Sequence, residues 1–209
     1  MKDKNPETGR KVIPSFTFCT RTGREDRKLG EMILYIAQKC AQDPAFGAVN
    51  LNKILYLADG ISFSRYGKPI TGTPYMNQEK GPVPQRLVLV QEKLKTDRHL
   101  VIEKRKVGRH IQKRSIALRP PNIKLFAARD IAIVNNVIDV LRGKSATKTS
   151  LLSHVLNYGW EFTKKGDLIP YEAFMLVRKR LTPEEINHIK ELNKEHKWEK
   201  PKTSDERLA

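Results

Sequence analysis

Between Leu51 and Phe63 the chain reads LNKILYLADGISF, a helical segment with almost no polar side. Leu51, Ile54, Leu55, Ala58 and Ile61 recur at helical spacing, and Tyr56, Leu57 and Phe63 widen the stripe. A helix that is apolar around most of its circumference has to be covered on most sides. It therefore belongs at the centre of a domain, and its neighbours in sequence must supply the cover. Asn50 offers a side-chain cap at its start, and Gly67 stops it after Tyr66.

The flanking segments supply amphipathic partners. Leu29, Met32, Ile33, Ile36, Ala37 and Cys40 form one face of a preceding helix that Asp43-Pro44 ends. Short extended pieces are expected at 69–71 and 75–77, broken by Gly72 and Pro74. A third helix starts at Pro84 and carries Leu87, Val90 and Leu94 inward. Residues 100–107 and 109–118 flank Gly108 as a β-hairpin; Ile111 and Ile116 differ in parity, which a bulge or a later strand start would explain. A fourth helix covers 127–142 and ends at Gly143, a fifth covers 149–158, and a sixth begins at Pro170 with Phe174 and Val177 inward. Thr182-Pro183-Glu184-Glu185 is a capping box that opens a last helix over 182–197.

The expected fold is mainly α within the α+β class. It is a compact helical domain of about six helices with a small antiparallel β-hairpin or sheet, plus a C-terminal helix. The expected organisation is a polar, basic N-terminal arm at 1–25, partly disordered and with a short strand at 12–18, then a domain at 26–178. The capped helix at 182–197 and a polar tail at 198–209 follow.

The 209 residues carry a formal net charge of +17, which selects a polyanion or an acidic protein as partner. Eight basic and no acidic residues lie between Lys104 and Lys124. Arg105, Lys106, Arg109, Lys113 and Arg114 on the hairpin are the candidate nucleic-acid contacts; the competing reading is a solvated edge that blocks aggregation. Few aromatics are interleaved, so base stacking on single strands is not indicated. No apolar run approaches a membrane span, and the start MKDKNPETGRK lacks the apolar core of a signal peptide, so a cytoplasmic chain with no membrane partner is expected. Two cysteines give no disulfide framework.

Lys80-Gly81-Pro82-Val83-Pro84-Gln85-Arg86 is a stiff entry to the third helix. Val83 cannot be helical before Pro84, so Pro84 becomes the first helical residue and Val83 an acceptor-free cap. The donors of Gln85 and Arg86 then need partners. Either the turn is structural and other loops satisfy them, or an external carboxylate or phosphate does.

Catalytic motifs are not apparent. Gly143-Lys144-Ser145 imitates the end of a phosphate-binding loop, but the position five residues before Gly143 is Ile138, inside a helix. The five histidines and two cysteines show no metal-ligand spacing, and Ser153-His154 has the wrong geometry for a hydrolase. No enzyme activity, cofactor or metal is expected.

The stretch LNKILYLADGISFSRYGKPITGTPYMNQEKGPVPQRL resembles the core of the Panacea domain, the SocA-like antitoxin family also found among phage-associated proteins. The elements carrying the resemblance are Leu51-Asn52-Lys53, Leu55-Tyr56, Asp59, the run from Gly67 through Gly72, Tyr75 and Gly81-Pro82-Val83-Pro84. Leu152-Ser153-His154, Trp160, Gly166 and Ile169-Pro170-Tyr171 extend it over about 26–178. The resemblance implies an antitoxin of a toxin–antitoxin system that neutralises its cognate toxin by direct protein binding. It also implies a role, seen in some members, as an adaptor to a protease. The expected toxin contacts are Tyr75, Lys80, Gly81, Pro82, Pro84, Arg86, His154 and Trp160. No added helix-turn-helix unit is visible, so any binding of operator DNA would fall to the hairpin or the arms. The alternative function is a regulatory nucleic-acid-binding protein; an enzyme with a dispersed site is the third.

Overall fold

The computed structural model describes residues 16–20, 22–108, 110–146 and 162–176. Among these, four α-helices and two small antiparallel sheets make a mixed α+β fold. The expected helices at 149–158 and 182–197 and the tail at 198–209 lie outside the described residues, so the count of about six helices is not reached here. Among the described residues no helix is long and apolar enough to cross a membrane.

Helix α1 (Glu25–Lys39) and helix α2 (Ala48–Tyr66) are the core pair. The six residues of the expected α1 face are all buried, and so are Leu34 and Tyr35 behind them. Helix α2 is buried around its girth, as its composition demands, and Gly67 ends it in the left-handed conformation with φ 67°. It starts before the expected cap. Gly47 precedes it in extended backbone, and Asn50 lies within it, donating from Nδ2 to the Ala45 carbonyl at 3.1 Å and the Lys144 carbonyl at 3.0 Å. The α1–α2 corner is held from inside by Asp43, whose carboxylate accepts from the Ala45 N–H at 2.9 Å and the Gly143 N–H at 3.1 Å. Asn50 is thus used to fix the corner and not to cap the helix.

The stiff entry is a strand. Val83–Pro84 (β2) pairs antiparallel with Tyr75–Met76 (β1), Tyr75 opposite Pro84, and β1 also pairs with Leu168–Ile169 (β5). Pro84 therefore sits in an edge strand, where its missing N–H costs no ladder bond. This corrects the expectation that it is the first residue of a helix. Helix α3 (Leu87–Thr96) starts three residues later, and the Gln85 N–H donates to the Pro74 carbonyl at 2.8 Å. The 69–71 segment is not a strand. The predicted helix from Pro170 is a 3-10 turn, Tyr171–Met175, because residues 168–169 are held extended by β1. Phe174 does point inward. Its ring lies 4.7 Å from that of Tyr56 and rests on Gly60, where any Cβ would collide with it.

Strands β3 (Leu100–Val107) and β4 (His110–Ala117) pair residue for residue over all eight positions, so no bulge is present. The parity conflict has another cause: the hairpin root packs on both faces. Leu100 and Ser115 share the face toward α3, where the Gln91 Nε2 donates to Ser115 Oγ at 3.2 Å. Arg114 and Gln112 share the opposite face, against the end of α1. Ile111 lies beyond both contacts and is 69% exposed. Helix α4 (Ala128–Leu141) closes the core with Ile133, Val134, Val137, Ile138 and Leu141. Residues 16–20, assigned to the polar arm by sequence, lie against the domain. The Tyr171 N–H donates to the Thr17 carbonyl at 2.8 Å, and the Thr17 N–H donates to the Glu172 carboxylate at 2.9 Å.

Candidate partner-binding surfaces

The centre of the signature stretch is a buried polar frame. Asp59 on α2 is fully buried and accepts from the Thr71 N–H at 2.7 Å, the Tyr75 hydroxyl at 2.8 Å and the Thr71 hydroxyl. Tyr171 donates to the Thr73 carbonyl at 2.6 Å, and its ring packs edge-on to that of Tyr75 at 6.1 Å. Burial pushes Asp59 up to about 6, against the lowering effect of its hydrogen bonds from Thr71 and Tyr75. Lys53, two turns earlier on α2, is 1% exposed, and burial pulls it down to about 8. Its ammonium lies under Gly81, close enough that a Cβ at Gly81 would overlap it. The frame thus ties the 69–75 loop to α2 through Asp59 and sets the Gly81-Pro82 turn over Lys53.

The hairpin root is a second anchored feature. Arg114, 8% exposed, donates to the carbonyls of Asp43 at 2.7 Å, Cys40 at 3.0 Å and Ala41, all at the end of α1. A guanidinium suits this place, since several last-turn carbonyls lack helical partners and the helix dipole is negative there. Arg119, just past β4, forms a two-bond ion pair with Glu31 at 2.7 and 2.9 Å, and the Asn122 N–H donates to the same carboxylate at 2.7 Å. The hydrogen bonds from Arg119 hold the Glu31 carboxyl below its ordinary range. Arg114→Met is expected to destabilise the fold by about 2–4 kcal/mol, because the Ala41 carbonyl loses the guanidinium and the Cys40 and Asp43 carbonyls, which also accept from the Asp43 and Phe46 N–H groups, each lose one of two bonds. Lys113→Ala, one position away and exposed, should stay within about 0.5 kcal/mol. Thermal melts of the two variants separate the roles; equal melting temperatures would overturn this assignment.

The sequence-predicted contacts are now sorted by exposure. Tyr75, Gly81, Pro82 and Pro84 are buried and shape the frame. Lys80 and Arg86 are exposed, and Arg86 donates from Nε and Nη2 to Asp26, the Nε bonds being 3.0 and 3.2 Å. His154, Trp160 and Arg109 lie outside the described residues. Arg105, Lys106 and Lys113 are exposed on the hairpin. Arg114, unlike the other hairpin candidates, is buried and bonded to the end of α1.

Lys53 and Asp59 carry more of the frame than residue pattern alone indicated. The available signal was their setting: they and Arg65 are the only charges in the 19 residues of α2. A charge in a helix buried on all sides must be paired or hydrogen-bonded. Among the described residues no group of three His, Cys, Asp or Glu side chains could hold a metal ion. A groove of about 480 Å³, open to solvent, runs between the end of α1 and the hairpin, past Gln38, Gln42, Glu103 and Arg105.

The family model for the SocA-like antitoxins with a Panacea domain matches residues 51–161. No curated protein and no solved structure matches the chain.

Proposed function

The chain belongs to the SocA-like antitoxin family through its Panacea domain, and from that premise we propose that it is a non-enzymatic antitoxin that neutralises a cognate toxin by direct protein–protein binding. The family match carries the reading. The inward orientation of Asp59, Thr71 and Tyr75 supports it, since these groups brace one another through buried hydrogen bonds. Recognition then falls to the exposed surface that the frame holds rigid. The favoured contact is the outer side of the α3 entry, where Arg86 adjoins Val88 and Leu89, which are 70% and 56% exposed. Arginine is enriched at interface hot spots, and the exposed apolar pair beside it supplies area that a partner can bury. The chain acts in the cytoplasm, and delivery of the bound toxin to a protease is a further step of the same reading.

Co-expression with the product of the adjacent gene tests the proposal. Growth is restored and the two proteins co-purify; failure of both overturns it. Val88→Glu with Leu89→Glu should weaken binding at least a hundredfold while leaving the melting temperature nearly unchanged, because both side chains are exposed. Undiminished co-purification would move the contact elsewhere. The adaptor step is read separately, as a shorter toxin half-life when the antitoxin is present.

A further inference from the structure

We propose that the outer half of the β3–β4 hairpin is a second binding surface, a cationic ribbon that seats on the phosphate backbone of double-stranded nucleic acid. The register places Lys104 directly opposite Lys113, and Lys106 opposite Ile111, all on one face. Like charges directly opposite across a strand pair are destabilising, so the pairing is not there for the hairpin's own stability. Among the described residues none of Lys104, Arg105, Lys106 and Lys113 forms an ion pair. All four are exposed, as are Val107, Gly108 and His110 around the turn, so the outer half stands clear on both faces. Glu103, the nearest carboxylate in the strands, lies on the opposite face from the lysines, with Arg114 across from it.

The shape and the charge select the same ligand. Two strands lie about 4.8 Å apart, and a two-stranded ribbon fits the roughly 12 Å major groove of a duplex. Lysine is depleted at protein–protein interfaces, whereas protein–DNA interfaces are strongly positive. The net charge of +17 adds a long-range pull toward a polyanion. The root is rigid through Arg114 and the Arg119–Glu31 pair, so the ribbon is presented in one orientation. Phosphate contact by these side chains carries no base sequence, so the ribbon supplies affinity and register.

The test is a salt titration of the full chain with a fluorescein-labelled 20-base-pair duplex of random sequence. Four phosphate contacts give a slope of log K against log salt near −3.6, or about a hundredfold loss between 50 and 200 mM salt. Replacing Lys104, Lys106 and Lys113 together by Ala should bring the slope close to −0.9. Replacing Lys68, Lys164 and Lys165 by Ala removes the same charge from elsewhere and should leave the slope largely intact. The matching Lys→Arg triple variant should retain wild-type binding, and circular dichroism should show every variant folded. A flat salt response, or equal losses in the two Ala triple variants, overturns the proposal. So does a hairpin variant that binds duplex normally yet no longer neutralises the toxin, which would make the ribbon a protein contact. Failure of duplex binding with toxin rescue intact would refute the ribbon and leave the antitoxin reading standing.

Discussion

Asp59→Ala is expected to cost about 3–5 kcal/mol, enough to lower the melting temperature by roughly 10–15 °C. The carboxylate is the shared acceptor for the Thr71 N–H, the Thr71 hydroxyl and the Tyr75 hydroxyl. Alanine leaves all three donors buried with no partner, and each such loss costs about 1–3 kcal/mol. Relief from burying an ionised group offsets only part of this. Melting within about 3 °C of the wild type would show that the frame does not hold the fold.

The same residue leaves a mark on pH dependence. Its folded pKa of about 6 lies above the ordinary 3.8, so the folded state holds the proton more tightly. Asp59's contribution is therefore fully present below about pH 4 and is lost as pH rises through about 6. The change is on the order of 3 kcal/mol. Glu31 works in the opposite sense: its folded pKa is depressed, so its stabilisation is present above the ordinary carboxylate range and fades as pH falls through its lowered value. The difference between wild type and Asp59→Asn isolates the first effect, because Glu31 is common to both. Chemical denaturation at pH 4 and pH 7 should show the gap between the two proteins narrowing as pH rises. A gap that is constant or widens would refute the assignment.

Gly81→Ala is the second large effect, at about 3 kcal/mol. Gly81 has φ 102°, a conformation that L side chains rarely adopt, and it precedes Pro82, which narrows the choices further. A Cβ there also meets the Lys53 ammonium. The two causes can be separated. Lys53→Met shortens and neutralises the side chain beneath the turn, so the double variant should be less destabilised than the sum of the single ones. The backbone strain at position 81 should remain. Strict additivity would mean that the turn and Lys53 do not bear on each other.

Much of the helical layout was legible because burial imposes period on sequence. The stripes of α1 and α3 and the all-round apolarity of α2 led to elements that bury those residues, whereas the buried face of α4 is centred on Ile133, Val134, Val137, Ile138 and Leu141 and leaves Ile131 only partly covered. The hairpin was legible from Gly108 between two strand-like runs. Of the three-stranded sheet only the central strand was legible, as the extended piece expected at 75–77. Its strands are two residues each, too short for alternation to show, and Val83–Pro84 carries helix-entry signals that lose to pairing with Tyr75. The hairpin's charge was legible as a sum but not as a division of labour. Lys113 and Arg114 are neighbours in sequence, yet one is exposed and the other is buried under the end of α1.

By itself the sequence determined that this chain has a central buried helix, amphipathic partners around it, a basic hairpin and the signature of its family. These are local or compositional properties, set by side-chain period and by charge. Only the tertiary structure decided which charges are buried and which are exposed. Lys53, Asp59 and Arg114 face inward because chain segments distant in sequence close over them, and that closure depends on three-dimensional packing that no local pattern encodes.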